Sequence, residues 1–343
     1  MKEVRFGLLG FGEWARWHAC FIKENPAAHL VAVVDSDEKR RNTAARDLGV
    51  KVYSDYNELM KEEELDVVDI LLPNHLHYEA TIAAFRAGNN VLLEKPMALT
   101  VEDCNSILEF TQEVSQQDKR LFLAIGFELR LSSLWGGVKR LIQEGKIGTV
   151  KTVNIEIFRS APSIGLKKWR LNREQVGSWM LDAPIHYFDL IRWYFEETGE
   201  PQSVYSSANS FSKKVLVDNF SSIIKFSSGG YAILSYSMAG YGYYTIAKII
   251  GDRGAIWAHW EEAEEKPLEP KFWLEYSQNK VKHKVVIERP AGETFDLKAE
   301  INQIVKVVQE GASIPATGQD GKEAVRICLA ADKSLTTGEI VKL

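Results

Sequence analysis

Apolar residues follow two different rhythms along this chain, and the change of rhythm divides it. Through the first third, short apolar runs alternate with longer stretches of helical period. Residues 4–9, 29–34, 50–53, 67–72, 91–94 and 121–125 read as strands, the run at 67–72 as one covered on both faces. Between them lie helical patterns reaching to about residue 22, then 37–48, 57–64, a stretch to Ala87 stopped by Gly88, and one from the capping pattern Thr100–Asp103 to about residue 114. Strand–helix alternation of this kind predicts a parallel, doubly wound sheet. From about residue 150 the period shortens to two: Val153, Ile155 and Ile157 alternate with Thr152, Asn154 and Glu156. Further strand-like runs fall at 220–226, 231–238, 244–250, 271–276 and 281–287, with few helices between them. That predicts a large, mostly antiparallel open sheet, one face of which needs cover. The expected fold is therefore α/β, a parallel domain over 1–124 followed by an α+β domain over 125–343.

Composition adds mainly exclusions. The 343 residues are 45% hydrophobic and 26% charged, ordinary for a globular protein with two cores. A net charge of −5 gives no footprint for nucleic acid. Cys20, Cys104 and Cys328 are odd in number and scattered, which suits a reducing cytoplasm and forms neither a disulfide framework nor a zinc pattern. No stretch approaches a membrane span, and the first apolar run is too short and glycine-broken for a signal peptide.

Candidate chemistry gathers at the strand ends. The first strand runs into Gly10-Phe11-Gly12-Glu13-Trp14-Ala15, a G-x-G-x-x-A turn opening a helix. Such a turn lets backbone approach a pyrophosphate and presents free N–H groups to it. The second strand ends in Asp35, placed to accept hydrogen bonds from both ribose hydroxyls of NAD and to repel the 2′-phosphate of NADP, so NAD is expected ahead of NADP. Asp35 or Ser36 is equally able to cap the next helix, and Lys39, Arg40 and Arg41 follow closely. Pro73, Asn74 and His77 follow the fourth strand, and Glu94-Lys95-Pro96 closes the fifth. A lysine there lies where open α/β sheets bind ligands, or is an ordinary solvated lysine. His75 and His77 lack neighbouring carboxylate or thiolate ligands, so a turn and helix cap is preferred to a metal site. In the second part, Asp182 and His186 are one turn apart if both lie on a helix, with Asp189 three residues on. A carboxylate beside an imidazole makes a general base; a helix cap and a structural histidine would look the same.

Taken together, the order and spacing of these pieces resemble the glucose–fructose oxidoreductase/inositol dehydrogenase (Gfo/Idh/MocA) family. The glycine turn, acidic strand end, Pro73-Asn74-x-x-His77 and Glu94-Lys95-Pro96 carry the likeness, which continues through 126–131 and 142–148, resumes at 169–189 and closes at 318–343, where Asp320-Gly321 and Thr337-Gly338 sit as the family places them. It is weakest between about 201 and 290. The resemblance implies a Rossmann-type dinucleotide-binding domain, with Gly10, Phe11, Gly12, Glu13, Trp14, Asp35, Pro73, Asn74, His77, Glu94 and Lys95 at the cofactor. It implies that Asp182 and His186 are catalytic with Lys95, and that the open sheet mediates a homodimer or homotetramer. The sequence departs from the family in Pro184, where a glycine usually separates the pair, and in Val176-Gly177-Ser178-Trp179, where a glycine run usually stands. Trp169, Arg170 and Trp179 are candidates to line the substrate pocket, their rings and guanidinium suiting sugar faces and hydroxyls; Arg130 is a family-like position.

The resulting expectation is an NAD(P)-dependent dehydrogenase acting on a secondary hydroxyl of a sugar, sugar derivative or cyclitol. His186 would take the hydroxyl proton, Lys95 would stabilise the alkoxide, and Asp182 would orient His186 or bind a neighbouring hydroxyl. A redox-neutral NAD-dependent glycosidase or epimerase, and a non-catalytic dinucleotide-sensing protein, are the alternatives.

Overall fold

The computed structural model describes residues 3–160, 172–210, 219–262 and 270–343. The first part builds β1 (Val4–Leu9), α1 (Glu13–Glu24), β2 (Ala28–Val34), α2 (Glu38–Leu48), β3 (Lys51–Tyr53), α3 (Tyr56–Glu62), β4 (Val67–Ile70), α4 (His77–Arg86), β5 (Asn90–Glu94), α5 (Val101–Gln117) and β6 (Leu123–Gly126). The strands lie in the order β3-β2-β1-β4-β5-β6, every pair parallel. The order reverses beside β1, and in such sheets the crevice outside the strand ends at that point takes the ligand. Local chemistry sets the helices. Asp37, Asp55 and Thr100 cap α2, α3 and α5 by accepting from the backbone N–H of Arg40, Asn57 and Asp103. On α1, Ala15, Ala19 and Ile22 form one buried apolar stripe, and His18 is buried beside it.

After β6 the chain forms α6 (Trp135–Gln143), β7 (Val150–Ser160), α7 (Arg173–Val176), α8 (Ile185–Phe195), β8 (Pro201–Asn209), β9 (Asn219–Phe226), β10 (Tyr231–Ser237), β11 (Ala239–Gly251), β12 (Gly254–Glu261), β13 (Lys271–Gln278) and β14 (Val281–Val285). Then come α9 (Glu293–Glu310), α10 (Gly318–Thr337) and β15 (Val341–Lys342). Nine strands join in the order β14-β13-β12-β11-β7-β10-β9-β8-β15. Every pairing is antiparallel except that of β7 with β10. One face carries Val153, Ile155, Ile157, Leu234, Ile224 and Ile249, all buried, with α8 packed on β7 and β10 and α6 on β12. Phe188 and Phe195 of α8 stack on Phe220 and Phe226 of β9. The alternate positions, including Tyr205, Ile223, Tyr231, Ile246 and Trp273, face the other way and are exposed. The strand rhythm missed β8 and β12, whose exposed positions carry serine and asparagine in β8 and whose tryptophans and histidine blur the alternation in β12.

The chain divides into two compact units, Met1–Glu128 with Leu297–Lys322, and Leu129–Asp296 with Glu323–Leu343. The expectation assigned all of 125–343 to the second domain; the structure returns Leu297–Lys322 to the first. Hydrophobic burial explains the return. Leu297, Ile301 and Ile304 of α9 recur at helical spacing and fill the core beside Ala15, Ala19 and Ile22. The Ile125 N–H also donates to the Ala316 carbonyl at 2.9 Å. Among the described residues, no helix is long and apolar enough to cross a membrane.

Candidate active site

In the first unit the glycine turn is held from three sides. The Gly10 N–H donates to Val34 O at 2.7 Å, and the Leu71 N–H to Leu9 O at 2.8 Å. Gly10 has φ +95°, and a Cβ there would stand 2.7 Å from the Leu71 carbonyl oxygen, so no other residue fits without displacing backbone. Gly12 precedes α1 with no side-chain cap, leaving the first N–H groups of the helix to other acceptors. Asp35 ties β2 to this turn: Oδ2 accepts the Phe11 N–H and Oδ1 the Asp37 N–H, both at 2.8 Å. Arg40 Nη1 stands 3.4 Å from Oδ2, and Arg41 donates to the carbonyls of Asp35 and Ser36. An uncapped helix start behind a turn that excludes Cβ, with a carboxylate at the next strand end, fits a dinucleotide: α1 would hold the pyrophosphate and Asp35 the ribose.

The β4 and β5 ends complete this group. Asn74 opens a 3₁₀ turn, Asn74–Leu76, and is buried; Pro73 before it is half-buried. His77 is buried, with Nδ1 2.7 Å from Pro96 O and Nε2 2.8 Å from Leu72 O. Burial holds its pKa below the ordinary histidine value, while the two carbonyls work against that. Both nitrogens are thus turned to main chain. The ring links the loops after β4 and β5. Lys95 is half-buried directly after β5. Trp14 Nε1 donates to Glu94 Oε1 at 3.0 Å, so the indole of the glycine turn faces protein, whereas Glu13 beside it is exposed.

The second unit carries the other group at the start of α8. Ser178 Oγ accepts the Met180 N–H at 3.1 Å and caps a 3₁₀ turn, Trp179–Leu181; Pro184 then precedes α8. Asp182 has φ −81° and ψ −99° and lies before the helix, whereas His186 is in its first turn. The expected helical spacing of this pair is therefore corrected: Pro184, which has no N–H to give, starts the helix after Asp182. Asp182 is buried and His186 half-buried. Trp179 Nε1 is buried with no hydrogen-bond partner among the described residues. Arg130 Nε and Nη2 donate to the two oxygens of Asp189, at 2.8 and 2.6 Å, with the guanidinium over the Trp193 ring. That buried fork-to-fork pair holds Arg130 against α8. Trp169 and Arg170 lie outside the described residues.

Sequence reasoning passed over a polar wall beside this turn. Tyr187 Oη is 3.3 Å from Thr245 Oγ1 and 3.5 Å from Tyr243 Oη. Arg159 Nη1 donates to Tyr236 Oη at 3.5 Å and stacks over Tyr243. Burial, with the Asp182 charge adding to it, pushes the Tyr236 hydroxyl pKa up and keeps it protonated. The signal was present: the inward positions of β7 run Val153, Ile155, Ile157 and then reach Arg159, a charge in a core register.

Residues 4–122 match an oxidoreductase family described by its NAD-binding Rossmann fold, and residues 136–257 match the GFO/IDH/MocA C-terminal domain. The chain is 30% identical over 339 residues to an inositol 2-dehydrogenase of Rhizobium meliloti (strain 1021), covering 97% of each protein. It is 28% identical to a myo-inositol 2-dehydrogenase of Thermotoga maritima, over 99% of this chain and 98% of that one. The solved structure of a "probable dehydrogenase" from Thermotoga maritima superposes with a TM-score of 0.81 at 26% identity, covering 99% of both chains. With both of its units matched and its relatives aligned from end to end, the chain belongs to the GFO/IDH/MocA oxidoreductase family, and its first unit is an NAD-binding Rossmann fold.

Proposed function

We propose that this protein is an NAD-dependent dehydrogenase of a cyclitol or sugar, oxidising a secondary hydroxyl. Bound NAD supplies the hydride acceptor. His186, in the first turn of α8, takes the hydroxyl proton. Lys95 donates a hydrogen bond to the same oxygen and stabilises the negative charge that develops there. Asp182 orients His186 or accepts from a neighbouring hydroxyl. Trp179 offers to another its buried N–H, which has no hydrogen-bond partner among the described residues, since such a donor is costly until it finds an acceptor. Asp35 accepts from the ribose hydroxyls and gives NAD preference over NADP. Copies of the chain associate over the exposed face of the nine-stranded sheet, where Tyr205, Ile223, Ile246 and Trp273 stand.

One observation carries the substrate class: full-length likeness, at 30% and 28% identity, to two inositol 2-dehydrogenases. The test is a panel of inositols, aldoses and glycosides with NAD and then NADP, followed by nicotinamide absorbance. Reduction of NAD by an inositol or sugar is the expected result. No reduction by any of them, with cofactor retained through purification and a cleaved or epimerised product, would replace this reading with a redox-neutral reaction.

A further inference from the structure

Four ionisable side chains, His18, Asp69, Glu94 and Glu300, meet inside the first unit, and none takes part in the proton and hydride transfer proposed above. His18 of α1 is fully buried, with Nδ1 hydrogen-bonded to Asp69 Oδ2 on β4 at 2.8 Å; Nε2 is 3.6 Å from Glu94 Oε1 at the end of β5, within reach of its charge but with no hydrogen-bond partner among the described residues. The same Glu94 oxygen accepts from Trp14 Nε1. Gly126, paired with Glu94 across β5 and β6, leaves the room: a Cβ there would stand 3.1 Å from Glu94 Oε1. Glu300 of α9 is buried, and neither carboxyl oxygen has a hydrogen-bond partner among the described residues. Asp69 and Glu94 therefore bring two carboxyl groups into the interior of a domain, Glu94 directly before the lysine assigned to the reaction; burial raises the Asp69 pKa, and His18 works against that rise. A carboxylate so placed is costly unless it is paired and hydrogen-bonded.

We propose that His18 is a positioning residue for the cofactor end of β5: bridging Asp69 and Glu94, its ring fixes the Glu94 carboxylate and through it the Glu94–Lys95–Pro96 turn. The part that concerns Lys95 rests on the reaction proposed above; the part that concerns Glu94 does not. Charge balance supports the role. Burial works against a charged imidazole, but Asp69 and then Glu94 overcome it and raise the His18 pKa to about 10. Burial likewise opposes ionisation of Glu94, and His18, Lys95 and Trp14 together hold it below the usual carboxylate range. Glu300 goes the other way: burial, then the Glu94 charge, push it well above that range, so it stays protonated and adds no third negative charge. The imidazolium and Lys95 thus offset Asp69 and Glu94.

Two measurements test this on the full chain. The first is ¹⁵N NMR of protein labelled at its seven histidines, with the His18 signals identified by their loss in His18→Gln. Both ring nitrogens of His18 should be protonated at pH 8. The second is NADH affinity by fluorescence in a cycle of His18→Gln, Glu94→Gln and the double variant. His18→Gln should weaken NADH at least tenfold alone and less than twofold further when Glu94 is already Gln; a merely structural role would make the two losses multiply. A neutral ring at pH 8, affinity within twofold of wild type in His18→Gln, or multiplying losses would each overturn the proposal. If His18→Gln does not fold, the ring signal that titrates above pH 8 in the wild-type protein decides. If wild type oxidises no polyol or sugar, the reaction reading fails while both measurements still judge His18.

Discussion

Arg130 and Asp189 meet fork to fork in the interior of the second unit, Nε and Nη2 of the guanidinium on the two oxygens of the carboxylate, three residues beyond His186 on α8. The pair joins the segment before α6 to the helix that carries the candidate base. Breaking a buried ion pair by removing one partner costs about 3–5 kcal/mol. Asp189→Asn or Arg130→Met is therefore expected to lower the thermal midpoint by several degrees, read by circular dichroism. A midpoint unchanged in both would mean that the pair is not fixing α8.

Stability should fall with rising pH, and Glu300 supplies part of the reason. Its folded pKa lies well above the ordinary carboxylate value because of burial and then the Glu94 charge. A group of that kind favours folding fully below its unfolded pKa, near 4.5, and loses the contribution as pH rises toward the folded value. His18 acts in the same sense between 6.5 and about 10. Glu300→Gln keeps the neutral shape and removes the slope that Glu300 contributes. Its thermal midpoint should decline less than that of wild type between pH 6 and pH 9. Parallel curves would show that Glu300 is ionised in the folded protein.

His186→Asn and Lys95→Ala are each expected to lose at least about 10²–10⁴ in kcat, the usual worth of general acid–base catalysis. NADH binding should survive in His186→Asn, which separates lost chemistry from lost folding. Near-native turnover in either variant would remove that residue from the proposed reaction.

Asp35 serves two masters in the structure, since its oxygens already accept the Phe11 and Asp37 N–H groups. If it also accepts from ribose, Asp35→Ala should weaken NAD roughly tenfold more than NADP, in keeping with about 1.5–3 kcal/mol for hydrogen bonds to a charged group. Equal weakening of both would leave Asp35 only the task of tying β2 to the glycine turn.

Much of the first unit was legible in the sequence because its signals are local. Gly10 meets a carbonyl that only glycine tolerates, Thr100 caps the helix it precedes, and Asp35 ends the strand it was assigned to. What escaped reading depends on distance. No pattern around Leu297, Ile301 and Ile304 says which core their helix will enter. Asp69 and Glu300 look like ordinary surface acids until β4 and α9 bury them. Asp182 and His186 were read at helical spacing, but Pro184 moves the helix start and leaves Asp182 outside it. Arg159 and Tyr236 gain meaning only once β7 and β10 lie side by side.

The return of Leu297–Lys322 to the first unit bears on how the protein is made. The stripe of α1 that faces this segment leaves the ribosome almost three hundred residues before its cover does. Asn25 and Asn302, joined by a 2.8 Å hydrogen bond, are 277 positions apart. Until α9 emerges, a nascent chain holds Ala15, Ala19 and Ile22 without the part of their cover that Leu297, Ile301 and Ile304 supply, as an aggregation-prone face for most of translation. A fragment ending at residue 124 should share that fate permanently, whereas one that carries residues 297–322 on a short linker after β6 should fold by itself and bind NAD.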